Sequence, residues 1–158
     1  MLPTRQVAAW AVLVWCCAGI QPAPAAGAQG AGLADVRSLD CTFTLIAVGT
    51  WTDEGAPEAQ VDASELSFRF EDVDTQEATA EVIGPFGPSH IITRHSGDYL
   101  HFLQMFSAGP LYSTTVFDRE TVDGKLMAVH TRHEYTDVSL IGFTSRPEQY
   151  YGDCAVGR

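Results

Sequence analysis

The feature of this sequence that most limits its fold is a series of short, alternating apolar runs, each ended by a turn signal. Between residues 65 and 71, Leu66, Phe68 and Phe70 alternate with polar residues, which is the pattern of a strand with one buried face. No segment after residue 28 places apolar residues at helical spacing over three turns. The chain is therefore predicted to be all-β.

Seven to eight such segments follow one another at short spacing. They cover residues 41–51, 65–71, 77–82, 89–95, 98–106, 111–118 and 125–135, with a last segment at 139–143 or 148–151. Turn signals rich in glycine separate several of them, at 84–88, 96–98, 109–110 and 123–124. Consecutive hairpins favour an antiparallel meander that forms a closed or nearly closed β-barrel, and a β-sandwich is the alternative.

The N-terminus has the pattern of an export signal. Arg5 precedes an uncharged apolar run at 7–20, and small residues at 26–28 offer a cleavage site. A membrane anchor is the alternative, but this run of about 14 residues is shorter than the ~20 that span a bilayer. We therefore predict a cleaved signal peptide at 1–28, a flexible lead-in at 29–38 and a single barrel domain at 39–158. The expected location is secreted or periplasmic, without membrane insertion after cleavage.

The four cysteines divide into two pairs. Cys16 and Cys17 lie in the predicted signal, whereas Cys41 and Cys154 lie near the two ends of the barrel domain. Two cysteines in an oxidising compartment predict one disulfide between those ends, and two unpaired buried thiols are the alternative. Neither residue has a Cys or His neighbour at the spacing of zinc ligands, so no metal site is predicted here.

The charge of the chain is strongly negative. Twenty acidic residues stand against nine basic ones, for a net charge of −11. Nucleic acid is excluded as a partner because no basic patch can displace its counterions. The acidic residues concentrate between 53 and 81, whereas all the histidines lie from His90 onward. This asymmetry indicates either a solvated acidic face or a surface for a basic protein partner.

The segment 128–135 is the richest in groups that carry chemistry. On a strand, His130, Arg132 and Glu134 share one face, and His133 points to the other. The two histidines therefore cannot bind one metal ion together. A turn at 123–124 would pair these residues with the preceding strand.

The pairing predicted from that turn extends the polar face across two further strands. It places Phe117 opposite His130, Thr115 opposite Arg132 and Ser113 opposite Glu134. The next hairpin adds Gln104 and Phe102. The candidate ligand-binding residues are Arg132, His130, Glu134, Thr115, Ser113, Gln104, Phe102 and Phe117.

The direction of this face decides its meaning, and the sequence leaves two alternatives open. If the face points inward, it resembles a ligand cavity with apolar walls and a few convergent polar groups. Arg132 would then suit a carboxylate, and His130 and Glu134 would suit acid–base chemistry. If the face points outward, it is a charged cross-strand row. The opposite face, with Met127 and Val129, is at least as apolar.

Other patterns for catalysis or cofactors are weak. The sequence holds no G-x-S-x-G, P-loop or dinucleotide fingerprint. The acidic turn at 71–74 lacks the ligand spacing of a calcium loop, and His90, His95 and His101 are scattered. We expect no cofactor, no metal and no catalytic residue.

Two resemblances accompany these patterns. Gly49-Thr50-Trp51 resembles the G-x-W element of lipocalin- and avidin-type barrels, although here it ends a strand instead of beginning the first one. The segments TTVF at 114–117, AVHTRH at 128–133 and QYYGDC at 149–154 resemble a group of small, uncharacterised secreted bacterial proteins. That resemblance implies a secreted bacterial origin and a terminal disulfide, and it implies no activity.

Together these observations favour a secreted, non-enzymatic β-barrel that binds a small, partly apolar ligand. One alternative is an interaction module, such as a subunit or inhibitor of an envelope or secreted protein. Another is a small-barrel isomerase or cyclase that uses His130, Arg132 and Glu134.

Overall fold

The computed structural model describes residues 32–85, 87–107, 109–136 and 145–157. A short 3-10 helix at Leu33–Asp35 comes first. Eight strands then follow: β1 Leu39–Trp51, β2 Pro57–Asp74, β3 Thr79–Gly84, β4 Gly87–Ser96, β5 Tyr99–Met105, β6 Leu111–Glu120, β7 Leu126–His133 and β8 Glu148–Val156. The predicted signal peptide at 1–28 and the alternative last segment at 139–143 lie outside the described residues. No helix in the described part of the chain is long and apolar enough to cross a membrane.

The eight strands form one closed antiparallel barrel in chain order. Each strand pairs with the next, and β8 pairs with β1 to complete the ring. The predicted antiparallel meander is confirmed, and each of the first seven predicted strands overlaps a strand of the structure. The second strand differs most, because β2 begins at Pro57, eight residues before the predicted segment at 65–71. Every strand has a paired neighbour on both sides over at least part of its length, so the ring gives each strand an inward and an outward face.

The closing pair of strands carries a disulfide. Cys41 and Cys154 are direct partners in the β1–β8 ladder, with their Cα atoms 4.0 Å apart, and their sulfurs are bonded. The predicted pairing is therefore confirmed, and it is typical of proteins from oxidising compartments. Because 113 residues separate the two cysteines, the bond removes much of the freedom of the unfolded chain. In the chain-entropy description this stabilises the fold by about 4–5 kcal/mol.

Close approach of two backbones marks the same seam. The β1 ladder shifts register between Phe43 and Leu45, and Gly152 of β8 lies opposite Phe43. A Cβ atom on Gly152 would stand 2.0 Å from the carbonyl oxygen of Thr42. Only glycine therefore fits at this position.

One end of the barrel is filled by apolar side chains. The lead-in contributes to it, because Leu33 and Val36 are only 3% and 1% exposed. Arg37 fixes this segment, since its Nη1 donates to the carbonyl of Val73 at 2.9 Å. The described part of the predicted lead-in, residues 32–38, is therefore packed against this end of the barrel. The buried residues at and near this end also include Leu39, Val73, Ala80, Leu100, Val116, Leu126 and the disulfide.

The predicted register between β6 and β7 is wrong. The structure pairs Thr114 with His130 and Tyr112 with Arg132. The register differs by three residues, because the turn pairs Glu120 with Leu126, one residue away from the prediction, and the ladder shifts by two more between Val116 and Glu120. Side chains alternate along a strand, so a slip by an odd number of residues exchanges the two faces. Three residues were predicted to lie opposite His130, Arg132 and Glu134, and the structure places all three on the outer surface. They are Ser113, Thr115 and Phe117.

The seam between β1 and β8 predicts a stability effect. Gly152→Ala should lower the free energy of unfolding by about 2–3 kcal/mol, because the added methyl group forces the two backbones apart. Urea unfolding of the disulfide-bonded protein measures it. Gly84→Ala is the matched control, since no atom lies within 4 Å of its added Cβ. Equal stabilities for the two variants would contradict the assigned contact.

Candidate functional site

The other end of the barrel interior holds a cavity of about 740 Å³ that is partly open to solvent. The inward residues of β2 to β5 supply its apolar wall. Strands β6, β7 and β8 supply most of its polar side. The lining residues that matter most below are Leu66, Phe68, Phe70, Val82, Phe102, Gln104, Tyr112, Thr114, His130, Arg132 and Glu148.

The apolar wall is built from stacked aromatic rings. Phe70 and Phe102 lie face to face with centroids 3.8 Å apart, and Phe68 meets Phe70 edge-on at 5.3 Å. Phe70 and Phe102 are each 2% exposed, so they also form the floor that separates the cavity from the filled end. Such a wall presents a rigid apolar surface to the cavity.

His130 lies at the border between this wall and the polar side. His130 is buried, with 6% exposure, and the ring of Phe68 packs edge-on against its imidazole with centroids 5.0 Å apart. The strand therefore turns its His130 face inward, so the alternative of an outward charged row is wrong. The polar cluster belongs to the interior.

The hydrogen bonds of His130 define its protonation. Arg132 Nε donates to His130 Nε2 at 3.4 Å, and a guanidinium can only donate. Nε2 is therefore the unprotonated nitrogen, and Nδ1 donates its proton to Thr114 Oγ1 at 2.9 Å. Burial, reinforced by the charge of Arg132, lowers the pKa of His130 to about 3. The imidazole is neutral at physiological pH.

Arg132 is held between two tyrosine rings. Its guanidinium carbon lies 5.2 Å from the centroid of Tyr112 and 5.1 Å from that of Tyr150, which are cation–π distances. Its Nη1 faces Glu148 Oε2 at 3.8 Å, and the two side chains are only 19% and 15% exposed. The cation is thus fixed by rings on two sides and by a carboxylate on a third.

The two tyrosines donate to carboxylates. Tyr150 donates its hydroxyl to Glu148 Oε2 at 2.5 Å, and Tyr112 donates to Glu134 Oε2 at 3.1 Å. Burial and the charge of Glu134 raise the pKa of Tyr112 to about 12, and burial with the Glu148 bond raises the pKa of Tyr150 as well. Both phenols therefore remain protonated donors at neutral pH.

The structure divides the eight predicted site residues into two groups. Phe102, Gln104, His130 and Arg132 line the cavity, and Glu134 is bonded to its lining residue Tyr112. The other three, Ser113, Thr115 and Phe117, cannot contact the same ligand because they lie on the outer face. There Thr115 Oγ1 is hydrogen-bonded to His101 Nδ1 at 3.0 Å, and the ring of Phe117 packs edge-on against that of Tyr99.

Sequence reasoning missed several lining residues. Tyr112 and Thr114 were missed because of the register error. Phe68 and Phe70 were on a recognised strand, but no pattern in the sequence showed that the side chain of Phe68 contacts His130 across the barrel interior. Glu148 was recognised only as the start of the last strand, and its pairing with Arg132 depends on closure of the ring.

The fold and the site define an eight-stranded antiparallel barrel with one filled end and one end that contains a cavity. Among the described residues, no group of three or more His, Cys, Asp and Glu side chains is placed to hold a metal ion. No protein-family model matches the chain, and searches of curated proteins and of solved structures gave no match.

The buried neutral imidazole predicts a pH dependence of stability. His130 titrates near its ordinary pKa of 6.5 in the unfolded chain but near 3 in the folded one. Its contribution is therefore fully present above pH 6.5 and is lost as the pH falls toward 3. Between pH 7.5 and 5.0, the free energy of unfolding should fall by about 2 kcal/mol more than it does in His130→Gln.

Urea unfolding at the two pH values measures this difference. His95→Gln is the control, because His95 is exposed and its substitution should leave the pH dependence of the unaltered protein in place. A His130→Gln protein that loses stability as steeply as the unaltered one would disprove the buried neutral state.

Proposed function

We propose that this protein is a binding protein that holds a small, partly apolar molecule inside its barrel. The observation that carries the proposal is the cavity of about 740 Å³, with an aromatic wall on one side and a fixed polar cluster on the other. Its volume lies within the range of about 300–1,000 Å³ that is common for small-molecule sites. Eight strands also give a barrel interior wide enough for one small ligand.

The lining suggests how such a molecule would be oriented. Its apolar part would lie against Phe68, Phe70 and Phe102, where burial of apolar surface supplies the affinity. Its polar part would face Gln104 and the His130–Arg132 cluster, where hydrogen bonds set the orientation. A cavity with one apolar wall and one polar side supports an amphipathic ligand.

The state of the polar groups favours binding over catalysis. Both nitrogens of His130 have partners, and its pKa of about 3 makes it a poor base at neutral pH. Arg132 is enclosed by rings and faces Glu148, and the phenols of Tyr112 and Tyr150 donate to carboxylates. These groups hold one another in place, which supports a preformed binding site more than an isomerase or cyclase.

The compartment is part of the proposal. The apolar segment at 7–20 and the small residues at 26–28 would direct export, and the Cys41–Cys154 disulfide is compatible with a secreted or periplasmic protein. A ligand in that compartment reaches the cavity without crossing the cytoplasmic membrane.

A cavity-filling substitution tests the proposal. The neutral fluorophore N-phenyl-1-naphthylamine should bind the unaltered protein with increased emission, and Val82→Trp should weaken that binding at least about tenfold, because the indole would occupy the space of the ligand. Fluorescence titration measures both affinities. Ile83→Trp is the matched control, since Ile83 is the next residue of β3 and faces the outside. Equal binding by Val82→Trp would place the ligand elsewhere and contradict the proposal.

One observation favours a second candidate function, which is docking of a basic protein segment. In the described part of the chain, residues 57–68 of β2 pair with β1 only, because β3 joins β2 from Arg69 onward. One edge of this strand segment therefore offers backbone donors and acceptors for strand addition. From Thr52 to Phe68 the chain carries five acidic residues and no Lys, Arg or His. Two copies would repel each other here, whereas a basic extended segment is complementary.

A designed peptide tests this second function. A ten-residue peptide of alternating lysine and threonine should bind and should slow amide exchange in 57–68, and N-methylation of alternate amides should abolish binding by removing one hydrogen-bonding edge. Asp62→Lys/Glu65→Lys should weaken binding about tenfold or more, whereas Asp98→Lys/Asp123→Lys makes the same charge change at distant turns and should weaken it less. Equal binding of the methylated peptide would rule out strand addition.

A further inference from the structure

We infer that the ligand of the cavity is uncharged, with a hydroxyl or carbonyl group as its polar part, and is neither a carboxylate nor an amine. This inference rests on the proposed function, because it names the chemical class of the molecule that the cavity holds. It departs from the expectation that Arg132 binds a carboxylate.

The charges along the cavity wall are balanced. Among the described lining residues, Arg132 carries the positive charge and Glu148 the negative one, and they face each other at 3.8 Å. His130 also lines the cavity and is neutral by its hydrogen bonds to Arg132 and Thr114. A charged ligand therefore meets no unbalanced charge of opposite sign among these lining residues. The carboxylate of Glu134 lies outside this lining and accepts from Tyr112.

A carboxylate would have to compete for Arg132. The guanidinium already donates its Nε hydrogen to His130 and lies between the rings of Tyr112 and Tyr150. A carboxylate therefore has little access for bidentate hydrogen bonding to it. An anion at the remaining nitrogens would stand beside Glu148. Loss of its hydration shell would then be poorly compensated. The net charge of −11 on the whole chain adds a long-range repulsion.

An amine meets the converse obstacle. Glu148 is the carboxylate of the lining, and its Oε2 already accepts from Tyr150 at 2.5 Å and faces Arg132. An ammonium group beside it would approach the guanidinium. The rings that ordinarily attract a cation, Tyr112 and Tyr150, are occupied by Arg132 itself.

A neutral polar group finds partners without displacing any of these contacts. Gln104 donates its amide Nε2 hydrogen to Ser89 Oγ at 3.1 Å, and both residues line the cavity. That bond leaves the amide oxygen of Gln104 as an acceptor and the hydroxyl hydrogen of Ser89 as a donor. A ligand hydroxyl can use both, and a carbonyl can use the second.

Three ligands with the same ten-carbon chain test the inference. Decanol, decanoate and decylammonium differ in the charge of the polar group, and each can be titrated at pH 7.5 against the bound neutral fluorophore N-phenyl-1-naphthylamine. Decanol should displace the fluorophore at a concentration about tenfold or more below that needed for either ion. Decanoate or decylammonium binding as tightly as decanol would overturn the inference while leaving the proposed function standing.

Variants of the ion pair sharpen the result. Glu148→Gln leaves the charge of Arg132 without its partner, so the affinity for decanoate should rise about tenfold relative to decanol. Arg132→Gln should shift preference toward decylammonium in the same way. Glu120→Gln removes one negative charge at an exposed position outside the cavity and should leave the ratios unchanged. If the affinities for decanoate and decylammonium relative to decanol are unchanged in both Glu148→Gln and Arg132→Gln, the inference is also overturned.

The experiment separates this inference from the proposed function. If neither the fluorophore nor any of the three ten-carbon ligands binds the unaltered protein, the proposed function fails, and the inference fails with it. The comparison of the three ligands on the unaltered protein does not depend on the folding of any variant.

Discussion

Pairing of the first strand with the last is the constraint on which the rest of this structure depends. A meander of eight strands that does not close leaves two long edges whose backbone groups have no protein partner. Here β1 lies between β2 and β8, the Cys41–Cys154 bond fixes that pairing covalently, and the absence of a side chain at Gly152 lets the backbones approach. Closure also assigns an inside and an outside to every strand, so it decides which residues form the cavity.

The two ends of the interior differ because their side chains reach in different directions. At the filled end, the inward residues of the strands meet Leu33 and Val36 of the lead-in, and all of them are nearly unexposed. At the other end, Arg132 does not extend across the barrel to the aromatic wall. It is held by Tyr112, Tyr150 and Glu148 on its own side, and the space in front of Phe68 remains open. The cavity is thus a result of local pairing among polar residues.

Much of the fold could be predicted from the sequence because its determinants are local. Alternation such as Leu66, Phe68 and Phe70 marks a strand wherever it lies, and Gly97 and Gly124 have the positive φ values that their turns require. The predicted disulfide needed only the compartment and the count of cysteines.

The site could be predicted only in part because its geometry is not local. The turn between β6 and β7 is centred on Asp123, with Glu120 paired to Leu126, whereas the prediction centred it between Asp123 and Gly124. That difference of one residue in register, to which the irregularity between Val116 and Glu120 adds two more, moves Thr115 outside and Thr114 inside. No pattern within one strand shows whether the face of His130 or that of Val129 points inward, since both are partly apolar. The contact of Phe68 with His130 joins β2 to β7 across the barrel, and it follows only from the closed ring.

The polar layer beside the cavity, formed by His130, Arg132 and Glu148, contributes less to the stability of the barrel than apolar packing would, and this bears on its role. A buried imidazole that cannot take up a proton until about pH 3 costs stability in acid, and a largely buried ion pair seldom stabilises more than apolar side chains of the same size. The filled end shows that the same strands can be packed with apolar residues. Hydrogen bonds nevertheless satisfy both His130 and Glu148, so the layer is ordered and not merely tolerated. An ordered arrangement that departs from the best packing is expected where a surface contributes to function, and here that surface faces the cavity.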